Sequence, residues 1–136
     1  MSLLGVDYGG KRIGLAVSES GVLASPHSVV ANKGDATIDL IASIALETGA
    51  EMIVVGIARR ARTTAGEQKF HQFAERLRQK TCKPVVLWDE TLSTVEAEDR
   101  LRESGRKRDR KTHDIDMYAA AVILQSYLDA QRGRES

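Results

Sequence analysis

The stretch from residue 3 to residue 18, LLGVDYGGKRIGLAVS, decides how this chain begins to fold. Leu3 to Tyr8 is an apolar run that stops at the turn signal Gly9-Gly10, and Arg12 to Ser18 is a second run only a few residues later. So short a connection predicts an antiparallel hairpin. The acid in the first run, Asp7, falls near the end of the first predicted strand.

Beyond the hairpin, the chain alternates between strand and helix patterns. Val22 to Ala31 predicts a third strand, in which Pro26 indicates a sheet edge or a bulge. Apolar spacing and turn residues then predict buried strands at 51–57 and 85–88, and helices that begin near Gly34-Asp35, Gly66-Glu67, Ser93 and Asp114. The order β-β-β-α-β-α-β-α-α predicts an α/β fold, a five-stranded mixed sheet with helices on both faces.

Length and composition are those of a soluble globular protein, at 136 residues with 42% hydrophobic and 29% charged residues. We expect a single domain over 1–136, with a mobile basic loop at 104–112, a last helix that ends near Gln131 and a polar tail at 132–136. The chain has no apolar run of the roughly 20 residues that a membrane span needs, and its N-terminus does not resemble a signal peptide. The one cysteine, Cys82, excludes an internal disulfide. These features predict a cytoplasmic protein.

Positive charge is concentrated in two places, although the net charge is only +1. One cluster is Arg59, Arg60 and Arg62, and the other is Arg106, Lys107, Arg108, Arg110 and Lys111. Both could contact a nucleic-acid backbone, or both could be solvated loops. Aromatic residues make up only 4% of the chain, so we expect any nucleic acid to be recognised by its backbone and shape.

Three carboxylates form a candidate site. Asp7 and Glu90 each fall at the end of a predicted strand, and the carboxyl ends of parallel strands meet at one rim of a sheet. Asp116 lies in the first turn of the last predicted helix, where an acid could equally well cap the helix. Three acids gathered at such a rim would suit a hard cation such as Mg²⁺ or Mn²⁺.

Three motifs together resemble the YqgF/RuvX family. They are DYGGKRIGLA from Asp7, DETLSTVEA from Asp89 and DMYAAAVIL from Asp116, and the resemblance extends over nearly the whole chain. The family comprises ribonuclease H-like proteins described as Holliday junction resolvases and as nucleases that mature the precursor of 16S rRNA. The resemblance implies that Asp7, Glu90 and Asp116 are the catalytic and metal-binding acids of a two-metal phosphodiester hydrolysis.

Residues beside these acids have two interpretations each. Lys11 and Arg12 follow Asp7 and could contact a phosphate, or could be solvent-facing residues of the hairpin. His113 could assist proton transfer or product release, or could be an ordinary exposed histidine. The chain departs from the family after the predicted strand at 51–57, where arginines stand in place of a typical Leu-Pro, and at Thr91, where many members have a basic residue.

Several functions remain open at this stage. The first hypothesis is a nuclease that processes the 16S rRNA precursor, and the alternative is a Holliday junction resolvase that acts as a dimer. The protein could therefore be a monomer or a homodimer that binds RNA or branched DNA. A second alternative is a non-catalytic nucleic-acid-binding module. An actin-like or sugar-kinase-like ATPase would need two domains with a cleft between them, for which this chain is too short.

Overall fold

The chain forms one β-sheet with helices on both faces. The computed structural model describes residues 1–57, 62–88 and 114–135, so the helix predicted from Ser93 lies outside the described residues. The elements are β1 (Leu3–Tyr8), β2 (Arg12–Ser18), β3 (Ser25–Ala31), α1 (Asp35–Thr48), β4 (Met52–Ile57), α2 (Thr64–Thr81), β5 (Val85–Leu87) and α3 (Asp114–Glu135).

The sheet has five strands in the order β3-β2-β1-β4-β5, which confirms the predicted mixed sheet. β1 and β3 each pair with β2 in the antiparallel sense, because short connections join these strands. β4 pairs in the parallel sense with β1 and with β5, because a helix lies between the members of each pair. The central strand is therefore β1, the one that carries Asp7.

Strand alternation divides the core into two layers. Leu4, Val6 and Tyr8 of β1 pack with α1 and α2 in one hydrophobic cluster, whereas Leu3 belongs to the cluster under α3. α3 lies across four strands, and its residues 120–126 are all buried. Asp7 is four positions from Leu3, so its side chain points to the same face of the sheet, the one that α3 covers.

The third strand begins at Ser25, three residues later than predicted. The buried amide of Gln125 in α3 accepts a hydrogen bond from the Ala24 N–H at 2.9 Å and donates one to the Val22 carbonyl at 3.0 Å. These contacts engage backbone groups that strand pairing would otherwise use. The indication from Pro26 is confirmed, because β3 is an edge strand and its register with β2 shifts next to that residue.

Other element boundaries also differ from the prediction. α2 begins at Thr64, slightly before the predicted start, because the Thr63 hydroxyl accepts the Gly66 N–H at 2.9 Å and caps the helix. α3 continues past Gln131 to Glu135, so the polar segment expected as a tail is helical up to that residue. No helix within 1–57, 62–88 or 114–135 is long and apolar enough to cross a membrane.

The prediction that the last strand is buried was wrong. β5 lies at the edge of the sheet, and Leu87 is 44% exposed. A continuous apolar run is typical of a central strand, but here only β4 pairs with it among the described residues.

Candidate active site

Asp7 lies in the middle of the sheet, near the carboxyl end of β1. Its cross-strand partners are Gly14 on β2 and Gly56 on β4, and Asp7 itself is only 5% exposed. Burial of a carboxylate is unfavourable unless hydrogen bonds or positive charge compensate it. Asp7 also lies at the carboxyl end of the central strand, where sheets of this kind have their functional crevice, so it is a candidate for a cation ligand.

Glycines beside Asp7 allow α3 to rest directly on the sheet. A Cβ atom at Gly14 would lie 1.8 Å from the Asp116 carbonyl oxygen, and one at Gly56 would lie 2.6 Å from the Ile123 side chain. The first distance leaves no room for a side chain, so the backbone of β2 touches the first turn of the helix. Because Gly14 is the cross-strand partner of Asp7, this contact places Asp116 next to Asp7 on the same face.

Arg12 holds the carboxylate of Asp116. Arg12 Nε donates to Asp116 Oδ2 at 2.7 Å, and the two side chains are 34% and 25% exposed. Within the part of the chain that the structure describes, this is the hydrogen bond that the Asp116 carboxylate makes. The Asp116 carboxylate thus binds a side chain of β2 and does not cap its own helix. Arg12 therefore belongs to the candidate site through this ion pair, whether or not it also contacts a phosphate.

Trp88 anchors the end of β5 to α3. Its backbone N–H donates to the Val55 carbonyl at 2.9 Å, and its indole Nε1 donates to Ser126 Oγ at 3.0 Å. Its ring also packs edge-on against Tyr127, with centroids 5.2 Å apart. Trp88 packs with the cluster under α3, on the face of the sheet where Asp7 lies. Glu90 follows Trp88 by two residues and lies outside the described residues.

Asn32 joins the β1–β2 turn to the end of β3. Its side chain donates to the Gly9 carbonyl and its backbone N–H donates to the Lys11 carbonyl, each at 2.9 Å. Sequence reasoning missed both Asn32 and Trp88, because each acts through a partner that is distant in the chain. The exposed Lys11 is thereby held on a well-fixed turn beside the carboxyl end of β1.

The other predicted binding residues are mostly beyond the described ranges. Arg62 is half-buried and directly precedes the Thr63 cap of α2. Those outside the described residues are Arg59, Arg60, Arg106, Lys107, Arg108, Arg110 and Lys111, together with the auxiliary candidate His113.

The donor chemistry of the site fits a hard divalent cation. Asp7 and Asp116 offer only carboxylate oxygens, which Mg²⁺ and Mn²⁺ prefer. Residues 1–57, 62–88 and 114–135 contain no cluster of three or more His, Cys, Asp or Glu side chains that could hold a metal. Within these ranges Asp7 and Asp116 are therefore two candidate ligands and not a complete set.

Solved structures of Holliday junction resolvases share the fold of this chain, which is ribonuclease H-like. The RuvC structure from Thermus thermophilus aligns with a TM-score of 0.68 and 15% identity, over 98% of this chain and 97% of that one. The fowlpox virus Holliday junction resolvase aligns with a TM-score of 0.58 and 12% identity, over 96% and 99% of the two chains.

The family itself is shown by sequence. The model of the RuvX family, described as Holliday junction resolvase, matches residues 1–130, and the chain belongs to this family. A relative from Geobacillus kaustophilus is 41% identical over 138 residues, which cover 97% of this chain and all of the relative. One from Syntrophus aciditrophicus is 42% identical, over 96% of this chain and 89% of the relative. Both carry the name "Putative pre-16S rRNA nuclease". The chain is accordingly a nuclease of this family.

Proposed function

We propose that this chain is a metal-dependent endonuclease that processes the precursor of 16S rRNA in the cytoplasm. The observation that carries the proposal is the approach of α3 to β2 at Gly14, which brings Asp116 beside the buried Asp7. Relatives about two-fifths identical over nearly their whole length, named for this substrate, support the choice of RNA.

The proposed catalytic group consists of Asp7, Asp116 and Glu90. These carboxylates would hold Mg²⁺ or Mn²⁺, and two such ions would supply an activated water and stabilisation of the leaving oxygen. Asp7 has a fixed position because β1 is paired on both sides, and Asp116 because its backbone rests on Gly14. The anchoring of Trp88 to α3, two residues before Glu90, supports Glu90 as the third member.

Two alternatives rest on other observations. The family description and the structural neighbours favour a Holliday junction resolvase, which would act as a homodimer on two strands, whereas an RNA-processing enzyme could act as a monomer. A non-catalytic nucleic-acid-binding module would retain the fold without needing the acids. The presence of all three acids argues against that module, since a protein that does not cleave nucleic acid has no need to keep them.

A cleavage assay with Mg²⁺ or Mn²⁺ distinguishes these functions. The substrates are a 16S rRNA precursor fragment, an unrelated single-stranded RNA and a four-way DNA junction. We expect the precursor to be cut fastest and Glu90→Gln to be inactive, with the exposed Glu51→Gln as a matched control of full activity. Faster cutting of the junction would favour the resolvase, and binding without cutting would favour the module. Full activity of Glu90→Gln would show that Glu90 is not a ligand.

The basic residues are proposed to bind the phosphate backbone. Replacing the five cations between 106 and 111 with glutamine should weaken RNA binding equally for all sequences and reduce its salt dependence. Each lost contact should lower the slope of log affinity against log salt by about 0.7. Fluorescence anisotropy at several salt concentrations measures this slope, and Lys80→Gln, whose ammonium pairs with Asp39, is the control. An unchanged slope would mean that these residues do not contact the phosphates.

A further inference from the structure

The ion pair between Arg12 and Asp116 differs in position from the others that the described residues form. Arg76–Asp35 and Lys80–Asp39 join α1 to α2 on the surface, and two further pairs link residues three apart within one helix. Arg12–Asp116 instead joins β2 to the first turn of α3, between residues 104 apart, at the candidate cation site.

The two side chains of this ion pair can separate while the backbones that carry them stay in place. Arg12 lies on a strand paired with β3, and the Asp116 backbone rests on Gly14. The side chains, by contrast, meet through Nε and Oδ2 alone among the described contacts, and both reach solvent. A guanidinium has five N–H donors and a carboxylate has two oxygens, so four donors of Arg12 and one oxygen of Asp116 are not used in this contact.

We propose that Arg12 is an exchangeable counter-ion of the site. It holds Asp116 in the metal-free protein, releases it when a divalent cation binds the carboxylates, and then turns its guanidinium towards a phosphate of the nucleic acid. This inference rests on the proposed function, because it takes Asp116 as a metal ligand.

The interaction energies favour release of Asp116 by Arg12 on metal binding over an ion pair that persists with the metal bound. An ion pair that is partly exposed to solvent is weak, and a doubly charged ion between two carboxylates has the stronger attraction. A released guanidinium matches the geometry of phosphate oxygens and can bind two of them at once.

Calorimetric titration of Mn²⁺ into the metal-free protein tests the exchange without cleavage. Because Mn²⁺ must displace the guanidinium in the wild type, Arg12→Gln should bind Mn²⁺ about two to five times more tightly, the range expected for the loss of a partly exposed ion pair. Arg12→Lys should fall between the two. Arg76→Gln, which breaks an arginine–aspartate pair away from the site, should leave Mn²⁺ binding unchanged. Unchanged or weaker Mn²⁺ binding by Arg12→Gln would overturn the proposal. Weaker binding would mean that Arg12 keeps holding Asp116 in position when the metal is bound.

RNA binding tests the second half of the exchange. With Ca²⁺ in place of Mg²⁺, and the precursor fragment verified intact on a gel, wild-type affinity should rise several-fold over that in chelator. In Arg12→Gln this cation-dependent gain should largely disappear, whereas a full gain would overturn the proposal. Asp116→Asn separates the two hypotheses. If Mn²⁺ affinity is the same in Asp116→Asn and in the wild type, the proposed cation site fails, whereas weaker binding by Asp116→Asn without tighter binding by Arg12→Gln rejects only the exchange.

Discussion

Replacing Asp7 with asparagine is expected to slow metal-dependent cleavage by about a thousandfold or more. Such a factor corresponds to roughly 4 kcal/mol of transition-state stabilisation, which is the scale expected for a bound metal ion. Asparagine has nearly the shape of aspartate, so the buried position between Gly14 and Gly56 can accept it. The loss should therefore appear in the cleavage rate, and also in Mn²⁺ affinity measured by calorimetry.

Asp39→Asn is the matched control for this prediction. Asp39 is an exposed acid of α1 that pairs with Lys80, and the same chemical change there should leave the cleavage rate unaffected. Thermal melts of both variants should stay close to that of the wild type in the absence of metal. Near-normal cleavage by Asp7→Asn would remove Asp7 from the catalytic group, whatever the identity of the substrate.

Replacing Gly14 with alanine should damage both stability and activity. The new methyl group would lie 1.8 Å from the Asp116 carbonyl oxygen, so α3 or β2 has to move. Overpacking typically costs about 1–3 kcal/mol, and a clash with backbone belongs at the upper end of that range. We expect the melting temperature to fall by about 10 °C, since 1 kcal/mol corresponds to roughly 4 °C for a domain of this size.

Activity should fall further than the folded fraction of this variant. Moving the first turn of α3 also moves Asp116 away from Asp7, so cleavage by protein that is still folded should drop at least about tenfold, as small misplacements do in other active sites. Gly10→Ala is the control, because a Cβ atom at Gly10 meets nothing within 4 Å. Wild-type activity in a folded Gly14→Ala variant would show that the position of Asp116 does not matter for catalysis.

Much of the architecture could be read from local patterns. The hairpin around Asp7, the five strands and the helices that begin at Asp35 and Asp114 were predicted from apolar spacing and turn residues. The buried status of β5 was predicted wrongly, because an apolar run records how hydrophobic a strand is but not how many neighbours it has. That number depends on the strand order of the whole sheet.

By itself, the sequence determined the order of the described elements and the location of Asp7 near the end of the first strand, since both follow from short-range periodicity. Only the tertiary structure decided that α3 lies against Gly14, that Arg12 binds Asp116, and that Trp88 binds Ser126. Each of these contacts joins residues that are tens of positions apart, up to 104 for Arg12 and Asp116. Such contacts depend on how a helix is seated on a sheet, and local spacing carries no information about that position.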